Sequence, residues 1–249
     1  MTKQPIYEYS TPFIPAIVIR RPSKTNKSPY VADIELQNDS GDTTHVLAHS
    51  PALDANGLVS QGKRVLCQPS NNTTRKTQYT IECAIDENGT IIGLKPLIAN
   101  RLFICLSNKQ TQLDIPKVSP EMQKNSSRFD FASYSQNTYI EIKGVPLADN
   151  GVAFFPHGYR KTHNEPISRR AVKHLQELTK LAKEGNKTYL IFITQRPDVH
   201  TMIPSNRDSF FKEAFKKAIQ AGVIVKCFSF QWYMNGKCFF IGEIPIYKE

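Results

Sequence analysis

The sequence contains few cysteines and no long hydrophobic run. Its five cysteines are odd in number and form no Cys-x-x-Cys pair, which argues against a disulfide framework and a zinc knuckle. Apolar runs such as residues 189–193 are far too short to cross a bilayer. Residues 1–10 lack the apolar core of a signal peptide. We therefore expect a cytoplasmic protein with no membrane partner, in which most cysteines are small core residues.

Acidic side chains are also in deficit. The chain has 22 Asp and Glu against 32 Lys and Arg, a net charge of +10, and 20 basic against 13 acidic side chains lie after residue 110. A basic surplus attracts polyanions because binding releases counterions, without sequence specificity. An ordinary basic protein would have the same composition, so charge alone leaves nucleic-acid binding open.

The first 95 residues have the pattern of short β-strands. Residues 30–37 alternate apolar and polar side chains, and turn signals such as residues 38–41 and 87–89 separate this strand from others like it. Five or six strands at this spacing predict a small barrel or sandwich. The oligonucleotide-binding (OB) barrel is one such solution.

After Lys95 the pattern becomes mixed. Pro96 begins a predicted helix, three strand signals follow, and residues 169–184 form the clearest helix, with Ser168 as N-cap and Gly185 just past its end. The remaining elements are an apolar strand, a second amphipathic helix and two strands. This order predicts a mixed sheet flanked by helices, an α/β (α+β) fold. The predicted domains are residues 1–95 and 96–249.

A predicted hairpin in the second domain carries three charged groups. Asp130 lies on its first strand, and Glu141 and Lys143 share one face of its second strand because side chains two apart point the same way. A turn centred on residues 135–136 places Asp130 opposite Glu141, and a shift of one residue places it opposite Lys143. Both registers bring the three groups together.

Such a group has a chemical use. Two facing carboxylates repel unless a cation lies between them, and Mg²⁺ or Mn²⁺ suits an all-oxygen site. Glu121 on the preceding strand is a further candidate ligand, and Lys143 could stabilise charge on a phosphate. A hairpin with one solvated face would have the same pattern, so the pattern by itself leaves both interpretations open.

Longer segments carry a family resemblance. Residues 121–131 and 140–145 resemble the sugar fermentation stimulation protein family, and residues 75–79 and 170–178 extend the likeness over nearly the whole chain. The resemblance implies an OB-like barrel, then a PD-(D/E)xK nuclease-like domain, and DNA binding. Within it, Asp130 is the strand acid, with Glu141 and Lys143 as the (D/E)xK element. His157 departs from the family, which has an acidic residue after Phe-Pro.

Basic side chains outside the hairpin, and Arg128 on its first strand, are candidates for phosphate contact. A charged turn and a solvated helix face are the competing interpretations for them. His174 and Gln195 are left open between a place at the site and a structural role. The predicted nucleic-acid contacts are Arg75, Lys76, Arg128, Arg160, Arg170 and Lys173.

Two functions follow from these observations. The first is a DNA-binding protein with a nuclease fold, catalytic residues Asp130, Glu141 and Lys143, and Mg²⁺- or Mn²⁺-dependent phosphodiester hydrolysis. The alternative is a non-catalytic DNA-binding or regulatory protein of the same family that retains the fold. Single-stranded DNA or RNA as the partner, and a homodimer as the assembly, remain open at this point.

Overall fold

The structure is a computed structural model that describes residues 4–37, 42–51, 57–72, 74–109, 118–124, 127–158, 162 and 164–247, without the side chains of residues 37, 121–124, 127 and 134. The chain forms two compact units. The first comprises Met1–Ile98, Gln195–Pro197 and Phe230–Phe239, and the second comprises Ala99–Thr194, Asp198–Ser229 and Phe240–Glu249. Within the described ranges, no helix is both long and apolar enough to cross a membrane.

The first unit contains a β-barrel. Its strands lie in the order β4-β3-β2-β5-β6-β7. A parallel pairing of β4 with β6 closes the sheet, so that five strands form the barrel and β7 extends it. The small strand β1 pairs with the start of strand β16 (Lys237–Glu243) and was not predicted. The strands are β1 (Tyr7–Glu8), β2 (Ile14–Arg20), β3 (Val31–Gln37), β4 (Thr43–His49), β5 (Arg64–Pro69), β6 (Tyr79–Ile85) and β7 (Ile91–Gly93).

The barrel interior follows from the period of two along its strands. On β3 the side chains of Ala32, Ile34 and Leu36 are buried in the barrel core, and those between them point outward. On β4, Ala48 is buried in the same core. The sequence pattern therefore predicted the strands and their inner faces correctly, and the barrel is the OB solution among the alternatives that the pattern allowed.

The second unit is a mixed sheet with helices. Its main sheet has the order β16-β15-β13-β10-β9-β8, and a second sheet has the order β11-β12-β14. Its elements are α1 (Pro96–Lys109), β8 (Ser119–Lys124), β9 (Ser127–Ser133), β10 (Thr138–Gly144), β11 (Ala148–Asp149), β12 (Val152–Phe155), α2 (Arg169–Lys183), β13 (Lys187–Thr194), β14 (Thr201–Pro204), α3 (Ser209–Gln220), β15 (Ile224–Trp232) and β16. The strands β15 and β16 contribute residues to both units.

Local signals fix the ends of the main helix. Ser168 caps α2, because its hydroxyl oxygen accepts from the backbone N–H of Ala171 at 3.1 Å. Gly185 follows the helix with a φ of +86°, a conformation that glycine adopts without steric cost. The buried strand β13 lies parallel to β10 and to β15, as expected for an apolar run buried on both faces.

The cysteines are unpaired, as expected. Four are buried and Cys105 is partly exposed. The predicted division of the chain at residues 95 and 96 is a single cut, whereas each compact unit is assembled from three segments. Local pattern cannot indicate that residues 195–197 and 230–239 join the first unit, because that depends on packing between distant parts of the chain.

Candidate active site

The predicted hairpin forms with the first of its two registers. Strand β10 pairs with β9 through Tyr139 and Ala132 and through Ile140 and Phe131. The next pair in this register is Glu141 with Asp130, but the ladder ends before it. The two strands therefore stop exchanging backbone hydrogen bonds at the point where the carboxylates lie.

The Asp130 side chain replaces the missing backbone partner. Its Oδ2 accepts from the backbone N–H of Ile142 at 2.8 Å, and its Oδ1 accepts from Asn100 Nδ2 at 2.9 Å. Asn100 lies on α1, whose Phe103 packs against Phe131 with ring centroids 5.1 Å apart. Helix packing on the hairpin thus holds the Asp130 carboxylate in one orientation.

Glu141 is almost completely buried, with 2% of its side chain exposed. Its Oε1 is in contact with two groups, Lys143 Nζ and His174 Nδ1, which lie 3.4 Å from each other. Its Oε2 is buried and has no hydrogen-bond partner among the described residues. A buried carboxylate oxygen without a partner is costly, so this atom is an unsatisfied position in the cluster of Asp130, Glu141, Lys143 and His174.

The electrostatics of the two carboxylates differ. Burial and the charge of Glu141 raise the pKa of Asp130 above its ordinary value, against the opposing hydrogen bonds from Ile142 and Asn100 and the charge of Lys143. Asp130 is therefore more easily protonated than an ordinary aspartate. A cation beside the pair would favour its charged form.

Glu141 shows the opposite balance. Burial alone would raise its pKa, but the hydrogen bond from His174 and the charge of Lys143 outweigh burial and hold the pKa below its ordinary value. Glu141 is thus ionised over the physiological range. The structure brings together Asp130, Glu141 and Lys143, as the hairpin pattern predicted.

Two residues that contact the carboxylates, His174 and Asn100, were left open or missed by the sequence. His174 lies on α2 and is 8% exposed, with its ring against Glu141. Its place beside the apolar stripe of the helix was a signal, but that signal is compatible with any buried histidine. Asn100 had no local signal beyond its position on a helix that begins at Pro96.

The third predicted metal ligand lies outside the described side chains. Glu121 is on β8 between Pro120 and Met122, which pair with Phe131 and Phe129 of β9. Its side chain is not among those described, so its role as a ligand stays a prediction. In the part of the chain that the structure describes, no three His, Cys, Asp or Glu side chains are grouped as a metal site would require.

The predicted nucleic-acid contacts fall in different places. Arg170 and Lys173 are exposed on α2. Arg170 lies one helical turn before His174 and Lys173 lies one position before it, so both are close to the edge of the helix that carries this histidine. Arg128 is exposed on β9. Arg75 and Lys76 are exposed in the first unit, in the loop before β6. Arg160 lies outside the described residues.

Gln195 has a structural place. It is buried, and its Oε1 accepts from Trp232 Nε1 at 3.0 Å within the first unit. The amide also packs closely against Gly93, because a Cβ built on Gly93 would lie 2.4 Å from Gln195 Oε1. This favours the structural interpretation of the two left open for Gln195.

Comparisons with known families match both units. Residues 97–236 match the sugar fermentation stimulation protein RE domain, and residues 30–94 match the SfsA N-terminal OB domain. The chain belongs to the sugar fermentation stimulation protein family. The resemblance seen in the sequence is confirmed, and the OB domain supports nucleic-acid binding in general.

Relatives in this family cover most of the chain. The sugar fermentation stimulation protein homolog of Alteromonas mediterranea is 35% identical over 208 residues, 78% of this chain and 82% of that protein. The homolog of Trichodesmium erythraeum is 29% identical over 240 residues, 91% and 90% of the two chains. The structure of Pyrococcus furiosus SfsA in complex with Ca²⁺ has the same fold, with a TM-score of 0.79, 21% identity and coverage of 98% and 99%.

Proposed function

We propose that this protein binds DNA and hydrolyses its phosphodiester bonds at Asp130, Glu141 and Lys143, with Mg²⁺ or Mn²⁺. The observation that carries the proposal is the buried Oε2 of Glu141, which has no protein partner in the described residues. In addition, the charge of Glu141, after burial, raises the pKa of the second carboxylate, Asp130. Both features would lower the stability of the folded protein if the cluster had only a structural role.

The donor set fits a hard divalent cation. Such ions prefer carboxylate oxygens, and Asp130 and Glu141 would supply them. When bound, the ion would polarise a phosphoryl oxygen and lower the pKa of a bound water. The related Pyrococcus furiosus protein is in complex with Ca²⁺, another hard divalent cation, which supports a cation site in this family member.

The protein's own groups have separable tasks. Asn100 and the backbone N–H of Ile142 hold Asp130, so one face of its carboxylate stays fixed during a reaction. Lys143 has a flexible cationic end within reach of Glu141 and would orient the attacking water and stabilise negative charge on the phosphate. His174 contacts Glu141 and acts as a positioning residue.

The basic face of α2 would hold the nucleic-acid backbone. Arg170 and Lys173 are exposed on the helix that carries His174, so phosphates contacting them would lie beside the carboxylates. Such contacts give affinity without sequence preference. The charge distribution of the chain, with most of the surplus after residue 110, agrees with this arrangement.

A cleavage assay tests the proposal. Full-length protein is incubated with supercoiled plasmid, linear duplex, single-stranded DNA and RNA, with Mg²⁺, with Mn²⁺ or with EDTA. We expect metal-dependent cleavage of at least one DNA form, abolished in Asp130→Asn and Glu141→Gln. Thermal melting of each variant checks that it is folded. Absence of cleavage on every substrate with both metals, or cleavage that survives Glu141→Gln, would overturn hydrolysis.

One observation favours the non-catalytic alternative. Asp130 has a hydrogen-bond donor on each oxygen, and Glu141 Oε1 is in contact with two nitrogen atoms, so the cluster is partly neutralised from within. In a DNA-binding protein without catalysis, Asp130→Asn and Glu141→Gln would leave salt-dependent DNA binding intact or tighten it, because they remove negative charge. Binding measured in EDTA beside the cleavage assay separates the two functions.

A further inference from the structure

A surface groove runs between helices α2 and α3, and its volume is about 300 Å³. On the α2 side it is lined by Val172, Gln176 and Thr179. On the α3 side it is lined by Phe210, Glu213, Ala214 and Lys217. Both helices belong to the second unit, and the lining residues are separate from the carboxylate cluster.

The groove contains apolar side chains from both helices. Val172 and Ala214 reach it from the edge of the core of the second unit. Phe210, on the first turn of α3, is 42% exposed, whereas the next residue, Phe211, is completely buried. The core therefore uses Phe211 and leaves much of the Phe210 ring in solvent. One exposed apolar side chain is ordinary, but one at the edge of an apolar groove marks an interaction surface.

The charges along the groove balance. The lining side chains of α2 are uncharged, although this helix has five basic side chains and one acidic one. On α3, the exposed Glu213 and Lys217 lie one turn apart and form an ion pair of 3.2 Å. The groove thus carries one acid and one base and no net charge, on a chain whose net charge is +10.

A second copy of the same chain fits this surface better than other partners do. A nucleic acid needs a basic surface, and a strongly charged protein needs a surface of the opposite sign. Two copies of a basic chain repel each other, and contact through a neutral surface brings the least charge together. In a dimer with two-fold symmetry, antiparallel α3 helices would bring Glu213 of each copy against Lys217 of the other.

The groove also has room for the exposed ring. A cavity of about 150 Å³ accommodates a benzene ring, and the volume here is about 300 Å³. The Phe210 ring of one copy can therefore fill the groove of the other, and the two-fold axis repeats the contact. An aromatic ring buried at the centre of an interface is the kind of group that supplies much of the binding energy.

We propose that the groove between α2 and α3 is the interface of a reversible homodimer. Phe210 of each copy occupies the groove of the other, and Glu213 pairs with Lys217 across the two-fold axis. Seven residues line the groove, whereas a stable interface has about 20 to 30 residues on each side. The dimer should therefore exchange with the monomer at micromolar concentrations. The proposal does not rest on hydrolysis or on nucleic-acid binding.

Sedimentation velocity tests the proposal on the full chain, in EDTA and without nucleic acid, across the micromolar range. We expect the mass to rise from that of one chain, 28.2 kDa, towards that of two. Phe210→Ser should weaken association at least about tenfold, because it removes the central ring. Ile241→Ser is the matched control, since it removes an equally exposed apolar side chain, 42%, from β16 of the same unit, and it should associate like the parent.

Charge reversal tests the pairing across the axis. Glu213→Lys gives the groove two bases and Lys217→Glu gives it two acids, so neither variant should associate with itself. An equal mixture of the two variants should associate again, because each base then meets an acid of the other copy. Lys216→Glu is the control, since it reverses an exposed lysine of α3 that is not among the lining residues, and it should associate like the parent.

Several outcomes would overturn the proposal. The parent could stay monomeric at the highest concentration, Phe210→Ser could associate like the parent, or the mixture of charge variants could fail to associate. A loss of association in Ile241→Ser in place of Phe210→Ser would put the interface on β16. Thermal melting of each variant separates lost association from lost folding. The mixture is independent of this control, because only folded variants can regain association.

Discussion

In each unit of this protein a buried glutamate contacts a lysine, and the two arrangements differ in the partner of one carboxylate oxygen. In the barrel, Glu82 Oε1 accepts from Lys95 Nζ and Oε2 accepts from the Tyr9 hydroxyl, each at 2.7 Å. In the mixed sheet, Lys143 and His174 both contact Oε1 of Glu141, and Oε2 has no partner within the described residues. The side chains are 3% and 2% exposed.

The difference separates a structural ion pair from a candidate site. Glu82 has a donor for each oxygen, and its presence also raises the pKa of the buried Tyr9 hydroxyl well above its usual range, after the larger effect of burial. Both oxygens of Glu82 therefore have a protein partner, as expected of a structural ion pair. Glu141 keeps one buried oxygen that has no partner among the described residues, and such an atom is rare in a cluster with only a structural role.

The largest expected effect compares Lys143, which lies at the candidate site, with a lysine that only forms an ion pair. Lys143→Ala should lower metal-dependent cleavage by at least about a hundredfold, because it removes the group that faces the developing charge. Plasmid relaxation measures it. Lys226→Ala is the control, since it removes another ion-paired lysine of the same unit, 3.1 Å from Glu243, and should cleave like the parent. An equal loss of cleavage in both variants would mean that the lower positive charge of the protein, and not the position of Lys143, is responsible.

The next effect concerns stability. Glu82→Gln should lower the free energy of unfolding by about 2 kcal/mol, because it leaves Lys95 without its carboxylate partner. The loss is smaller than for a fully buried ion pair because Lys95 is 27% exposed. Urea unfolding measures it. Glu87→Gln, which removes an exposed glutamate paired with Lys63, should show no measurable change. A stable Glu82→Gln variant would contradict the structural role of the barrel pair.

A smaller effect tests the unsatisfied oxygen directly. At ten times its dissociation constant, Mg²⁺ should stabilise the parent by about 1.4 kcal/mol relative to EDTA, because it binds the folded state. Asp130→Asn and Glu141→Gln should lose this stabilisation, and Glu82→Gln should keep it. Urea unfolding with and without Mg²⁺ measures it. Stabilisation that persists in Glu141→Gln would place the ion elsewhere.

The smallest effect is a dependence on pH. The raised pKa of Asp130 means that its proton stabilises the folded state below the unfolded-state pKa, and this contribution is lost as the pH rises through the folded-state pKa. The lowered pKa of Glu141 works in the opposite sense, with stability lost as the pH falls. Relative to the parent, Asp130→Asn should therefore become more stable as the pH rises above the ordinary aspartate pKa of about 4. A constant difference in unfolding free energy would contradict the raised pKa.

Much of the fold could be predicted because its signals are local. The period of two gave the strands β3 and β4, and Ser168 and Gly185 marked the ends of α2. Turn length limited the hairpin to two registers, and the structure has the first of them, in which Glu141 is the next partner of Asp130. The family resemblance then supplied the order of the two folds, which the comparisons confirm.

The sequence by itself thus determined most of the strands and helices, apart from short strands such as β1, together with their inner faces and the three charged groups of the hairpin. Only the tertiary structure decided that His174 contacts Glu141, that Asn100 holds Asp130, and that helices α2 and α3 line one groove. These contacts join residues 30 or more positions apart. Periodicity in the sequence indicates which side chains share a face of a strand or helix. Which residues that face contacts depends on packing over the whole core.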